Sequence, residues 1–304
     1  MHRFSRRACS LHSYASNLSP RAIRCHATSA SQNTLQVLEA PSLSYAHHRE
    51  HVSLVSSQLA LTGMLKIRLC FPDDSSDYLK QLLVSLHEHH NHRLPISHSA
   101  TRGWFWDVRP NKTIFQAGSH QARSETMNEF PWHTDCSYED PLPRYFALQV
   151  LQHDRYGGGT LSAMNVERLS ELLSPATKEV LMAPEFRIAI PPEFIKNPEQ
   201  RHITGSIFMS SRQSIMIRFR EDILTPLTDR AGRALEELKS ALLLQEVQEY
   251  STVHLKSSDL PKGSIILMDN RRWLHARNDI KDPERHLRRV RWDACPFDSQ
   301  GQDS

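Results

Sequence analysis

A chain of 304 residues, 39% of them hydrophobic, is long enough to bury one large core and carry a tail besides. Its formal charge of +3, spread over intermingled acids and bases, gives no sustained footprint for nucleic acid, and no apolar run is long enough to span a membrane. Five scattered cysteines, Cys9, Cys25, Cys70, Cys136 and Cys295, form no Cys-x-x-Cys pair, which argues against a disulfide framework and a structural zinc. Small-molecule work in a reducing compartment is the expectation, with self-association left open.

Residues 1–36 stand apart. They carry Arg3, Arg6, Arg7, Arg21 and Arg24 among many serines, and the first acidic residue is Glu39. That composition fits a mitochondrial transit peptide or a basic tail on a cytoplasmic protein, so localisation is expected to be one or the other. Residues 37–298 are read as the folded domain and 299–304 as a C-terminal tail.

From Ser75, Leu79, Leu82, Leu83 and Leu86 recur at helical spacing behind a Ser/Asp cap and predict an amphipathic helix. The histidines that follow, His87, His89, His90 and His92, read as a solvated helix C-terminus, where the helix dipole favours imidazolium. "GWFWDV", "TIFQAG" and "YFALQVLQ", separated by turn residues, read as strands. Gly157-Gly158-Gly159-Thr160 lacks the Gly-Lys-Ser/Thr of a phosphate loop and reads as a hairpin-like turn entering a strand. "VERLSELLSPATKEVL" predicts two short helices broken at Pro175. After the strand-like "FRIAI" and "SIMIRF", Leu235, Leu238 and Leu242 share one face of a longer helix. Strands resume at "STVHL" and at "SIILM". No repeat is visible, and the sum is a mainly β fold with flanking helices around a double-stranded β-helix (jelly-roll) core.

His133-Thr-Asp135 is the first chemical signal. With 18 histidines and 34 carboxylates in 304 residues, roughly two His-x-Asp/Glu matches arise by chance, so the pair needs a partner. In an extended stretch residues i and i+2 project from one face, which would bring one imidazole and one carboxylate together. A second histidine would complete a 2-His-1-carboxylate set with open positions, the pattern of non-haem Fe(II) oxygenases. His275 is the candidate: it follows the charged elbow Asp269-Asn270-Arg271-Arg272 and closes the strand whose apolar run, 265–268, should be buried.

"WHTD", "GGGTL", "GSIILMDNRRWLHAR" and "RHLRR" occur in an order and spacing that resembles the taurine dioxygenase superfamily of Fe(II)/2-oxoglutarate-dependent oxygenases, in layout over roughly residues 79–297. The elbow is similar to that of the γ-butyrobetaine and trimethyllysine hydroxylase branch. The resemblance implies that His133, Asp135 and His275 bind Fe(II), leaving room for 2-oxoglutarate and O2. It implies that Arg285 grips the distal carboxylate of 2-oxoglutarate bidentately, with a hydroxyl from Thr160. Arg289 either takes over as cosubstrate anchor or faces an acidic group of the substrate. Asp269, Asn270 and Arg271 would orient the ligand strand. The implied reaction oxidises a small organic substrate by hydroxylation, desaturation or ring closure, with release of succinate and CO2.

Two alternatives stand beside this reading. One is a carnitine-pathway hydroxylase of a trimethylammonium substrate, although Cys9, Cys25 and Cys70 lack the spacing of that branch's N-terminal zinc module. The other is a jelly-roll that binds a ligand or partner without catalysis. Trp104, Phe105, Trp106, Trp132 and Tyr138 would line a pocket, cage a cationic substrate or, more often for such residues, belong to the core.

Overall fold

Alternation of inward and outward side chains organises the molecule. In a computed structural model that describes residues 35–97, 103–111, 120–210 and 214–297, a six-stranded sheet runs in the order β1-β2-β13-β5-β15-β3. These strands are β1 (Gln36–Ala40), β2 (Met64–Leu69), β3 (Trp106–Val108), β5 (Leu142–Gln152), β13 (Ser264–Asp269) and β15 (His286–Cys295). Only β1 and β2 pair in parallel. Facing it, a four-stranded sheet runs β12-β6-β14-β4, from β4 (Phe130–His133), β6 (Leu161–Asn165), β12 (Thr252–Leu255) and β14 (Trp273–Arg277).

Period two decides which residues meet between the sheets. Phe146, Leu148 and Val150 of β5, Ile266 and Met268 of β13 and Leu287 of β15 pack with Leu161, Ala163, Leu255 and Trp273 of the other sheet. The intervening residues Tyr145, Ala147, Ile265, Leu267, Val290 and Trp292 point outward. There they meet α1 (Arg49–Thr62) and α2 (Asp77–His90). Met164 and Leu274 of the smaller sheet turn outward onto α3 (Val166–Glu171), α4 (Pro175–Met182) and α5 (Asp229–Leu242), with α6 (Gln245–Tyr250) following. Two smaller sheets complete the wall. One pairs β7 (Phe186–Ala189) with β8 (His202–Gly205) and β11 (Leu224–Pro226), the other β9 (Phe208–Ser210) with β10 (Ile215–Ile217). The expected helix-flanked jelly-roll core is therefore present.

Local signals explain most elements. Leu79, Leu82, Leu83 and Leu86 of α2 are buried, and Asp73 caps the helix by accepting from the N–H groups of Asp77 at 2.9 Å and Tyr78 at 3.0 Å. The expected Ser/Asp cap is thus supplied by an aspartate further upstream, because Ser76 takes a left-handed φ of 66°. Pro175 opens α4 at its first turn behind the N-cap Ser174, and Thr228 caps α5 through a bond from Ala231 N. Helix α1 ends on Gly63 in the left-handed region, and Arg272 donates to Leu59 O and Ala60 O of its last turn, where a cation suits the helix dipole.

Several expectations need correction. The Gly157–Thr160 turn is no hairpin: it carries the chain from β5 in one sheet to β6 in the other. "SIILMDNRRWLHAR" is not one strand, since the elbow 270–272 passes from β13 to β14, again between sheets. Of the aromatic residues left open between pocket and core, Trp104, Phe105, Trp106 and Trp132 take the core alternative, in it or packed against it. His92 is buried rather than solvated, stacked on Tyr145 and accepting from Trp292 Nε1 at 3.1 Å. "TIFQAG" and residues 1–34 and 298–304 lie outside the described residues.

Candidate active site

His133 ends β4, and its cross-strand neighbour is His275 of β14, which in turn pairs with Ala163 of β6. Because Leu274 faces outward, His275 faces the space between the sheets, alongside Trp273 and Arg277. Asp135 lies past the strand end, where Cys136 turns the chain with φ 56°. The expected extended i, i+2 geometry is therefore absent, and convergence is imposed from elsewhere. The fully buried Asn270 of the elbow accepts from Asp135 N at 2.7 Å and donates to Asp135 O at 2.9 Å and Pro143 O at 3.0 Å. Thr134 is stitched to Phe219 by Thr134 N to Phe219 O at 2.7 Å and Phe219 N to Thr134 Oγ1 at 3.0 Å.

The elbow is itself bonded throughout. Asp269 Oδ1 accepts from the backbone of Arg271 and Arg272, and Arg271 Nη2 donates to Leu142 O and Cys295 O. Asp269, Asn270 and Arg271 thus fix the backbone of the elbow and of the segments it joins.

The donor atoms of His133, Asp135 and His275, all buried, come within 4.8 Å of one another. The His133 ring stacks on Phe130 at 3.6 Å, and its Nδ1–H donates to Pro131 O at 2.7 Å, which leaves the Nε2 lone pair for a metal. Asp135 Oδ2 and His275 Nδ1 are buried with no hydrogen-bond partner among the described residues, and His275 Nε2 stands 4.0 Å from Asp135 Oδ1. Buried polar atoms without partners are costly. Two imidazoles and one carboxylate oriented in this way fit a divalent first-row ion, and the set fits Fe(II).

Electrostatics keep the donors in ligand form. Burial pushes the His275 imidazole down to about 4, partly opposed by Asp135, and burial together with His275 pushes His133 well below its usual range. Burial alone would raise the Asp135 carboxyl, but the Arg289 and Arg291 guanidiniums, helped by the two histidines, hold it well below the ordinary carboxylate range. Neutral imidazoles and an ionised carboxylate are what a metal needs.

The predicted arginines take two different stations. Leu287, Arg289 and Arg291 alternate with outward Val290 and Trp292, so both arginines enter the space between the sheets. Arg289 Nη1 donates to Asp135 Oδ1 at 3.0 Å, and Arg291 contacts Cys136 Sγ. Arg285, four residues earlier, is roughly 13 Å away along the chain at ~3.3 Å per residue. It lines a separate cavity with Leu148, Leu161, Ile266 and Leu287. Its Nη1 is buried without a partner among the described residues. Burial, with help from Arg277, lowers its guanidinium to about 9, which still leaves it charged at neutral pH.

The glycine turn explains how Arg285 fits. Gly159 has φ +65°, and a Cβ there would stand 2.7 Å from Arg285 Nε. A Cβ on Gly158 would meet Asp154 Oδ2, Asp279 O and Lys281 N, each at 2.6 Å. The half-buried Thr160 follows directly, its N–H donating to Asn278 Oδ1 at 2.7 Å. Gly159 thus lies against Arg285, with Thr160 next in sequence, while Arg289 lines the other cavity beside the triad.

Sequence reasoning missed Phe130, Arg123, Phe194 and Arg220, which line the cavity beside the triad, and it found Tyr138. Arg220 reaches the site because its backbone bridges to His133, a pairing of distant segments that leaves no local signature.

A curated relative, L-asparagine oxygenase from Streptomyces coelicolor (strain ATCC BAA-471 / A3(2) / M145), is 29% identical over 150 residues. That stretch is 49% of this chain and only 42% of the relative's length. Among solved structures, asparagine oxygenase in complex with Fe(II), 2S,3S-3-hydroxyasparagine and succinate superposes with a TM-score of 0.63 at 20% identity, over 84% of this chain and 83% of that one. The non-heme iron oxygenase OrfP in complex with Fe and alpha-ketoglutaric acid gives a TM-score of 0.59 at 15% identity, over 84% of each chain. At these identities the two structures establish the fold. The family described as "Taurine catabolism dioxygenase TauD, TfdA family" matches residues 87–291, more than half of the chain, and the protein belongs to that family.

Proposed function

We propose that this protein is an Fe(II)- and 2-oxoglutarate-dependent dioxygenase that oxidises a small organic substrate and releases succinate and CO2. The observation that carries this reading is the buried convergence of His133, Asp135 and His275, with unpartnered donor atoms, in a member of the TauD/TfdA family. Bound iron would supply the centre at which O2 is reduced while 2-oxoglutarate is oxidatively decarboxylated.

The chain's own residues hold, orient and shield. His133, Asp135 and His275 hold the metal. Arg289 keeps Asp135 ionised and in place, and Asn270 fixes the backbone that bears it. Arg285 is a buried cation waiting for an anion, and with the Thr160 hydroxyl it receives the distal carboxylate of 2-oxoglutarate. Leu148, Leu161 and Leu287 line the space in front of Arg285 and exclude water from the methylene chain. Reaction outcome then depends on which C–H bond the cavity beside the triad presents. Its four arginines, Arg123, Arg220, Arg289 and Arg291, disfavour a trimethylammonium substrate and so the carnitine-pathway alternative.

Anaerobic titration of the protein with Fe(II) and 2-oxoglutarate tests the reading: a weak visible charge-transfer band is expected. Iron uptake without that band would favour the non-catalytic jelly-roll. For localisation we propose a mitochondrial or cytoplasmic site. Removal of residues 1–36 from a reporter fusion decides, since an unchanged distribution argues for the basic tail.

A further inference from the structure

The cavity beside the triad has an apolar wall and a cationic rim. Phe130, Tyr138 and Phe194 form the wall, the last two stacked with ring centroids 5.3 Å apart. Arg123 and Arg220 form the rim, their guanidinium carbons 5.5 Å and 5.6 Å from the centroid of the Phe130 ring. They share one carboxylate: Arg220 Nε and Nη2 each donate to Asp222 at 2.8 Å, and Arg123 Nη1 lies 3.5 Å from it. Burial would raise the Asp222 carboxyl, but Arg220 and Arg123 outweigh burial and lower it, so it remains a single negative charge between two positive ones. The Arg220 side chain is only 12% exposed and its backbone bridges to His133, which fixes the surplus charge next to the metal ligands. Among the described lining residues the only carboxylate is Asp135, which is committed to the triad and Arg289. No second carboxylate among the described lining residues stands free to pair with an ammonium group.

We infer that Arg220 and Arg123 form a specificity-determining anion clamp, and that the substrate is a carboxylate with an aliphatic or aromatic body and no α-ammonium group. This inference rests on the proposed function, since it names the substrate class of the same site. It separates the chain from its structural neighbours, whose complexes hold the amino-acid products 3-hydroxyasparagine and hydroxyarginine. The apolar body lies against Phe130, Tyr138 and Phe194, while the carboxylate displaces water from the guanidinium edges that Asp222 leaves open.

Calorimetry on the protein loaded with Fe(II) and 2-oxoglutarate without O2 tests it. The probes are hexanoate and 3-phenylpropanoate, each against its α-amino counterpart, 2-aminohexanoate and phenylalanine. At least one carboxylate is expected to bind about tenfold or more tighter than its amino acid. Arg220→Gln should weaken that carboxylate about tenfold or more, and Arg123→Gln, at the more exposed position, by a smaller factor, with Fe(II) and 2-oxoglutarate binding unchanged in both. Amino acids binding as tightly as the carboxylates would overturn the inference. So would failure of both carboxylates to bind, or carboxylate binding that survives Arg123→Gln and Arg220→Gln intact. Failure of the native protein to take up Fe(II) and 2-oxoglutarate would instead remove the proposed function, and this inference with it.

Discussion

Two cavities between the sheets hold the same side chain in different company. In one Arg289 has its carboxylate, Asp135, and serves to keep a ligand ionised and oriented. In the other Arg285 is buried with an unpartnered Nη1, pressed against a glycine. Arg289 thus has a carboxylate among its contacts, whereas the Arg285 Nη1 has none, and a buried donor left bare costs stability that an anion bound there would return.

Four perturbations sharpen the contrast, and the largest strikes the triad. Asp135→Ala is expected to abolish iron retention and turnover together, read by metal analysis after desalting. Full activity in that variant would sink the assignment. Acid is next. The unfolded chain protonates His275 near pH 6.5 while the folded, metal-free protein resists until about 4, so stability is whole above 6.5 and falls as pH drops through that window. The loss for this one group is on the order of 3 kcal/mol. Asp135, held low, loses its contribution in the same direction. Denaturant melts of the metal-free protein between pH 7 and 4 should show the decline, and a flat profile would contradict the burial argument.

The Arg285 cavity responds to different changes. Arg285→Lys keeps a charge but not the bidentate fork, and should raise the 2-oxoglutarate Kd about tenfold or more with iron binding near normal. If only Arg289→Lys had that effect, the two stations would have to be exchanged. Thr160→Val is the mildest, a few-fold weakening of the same Kd from the loss of one hydroxyl, measured by the charge-transfer titration.

How much of this was legible depended on how local each cause is. Helices α2 and α5 show their buried leucines at regular spacing and were readable. Helix α1 escaped because exposed Leu54 and Leu61 interrupt the stripe made by Val52, Val55 and Leu59. The elbow was recognised, but not as a crossing between sheets, since continuity of apolar residues hides a change of partner. His133, Asp135 and His275 came from motif spacing, whereas the force that gathers them, two-way hydrogen bonding by Asn270, acts between residues 135 positions apart. Arg123 and Arg220 carried no signal, being brought together only by the fold, at Asp222 and over the Phe130 ring.

That long reach sets the timing of assembly. His133 and Asp135 leave the ribosome well before Asn270, His275 and Arg289, and contacts of such separation are closed late, after much of the chain's entropy is spent. Until those segments are in place, His133 lacks its β14 partner and Asp135 lacks the Arg289 guanidinium. The ligand set is therefore complete only once β14 and β15 have taken their places in the two sheets.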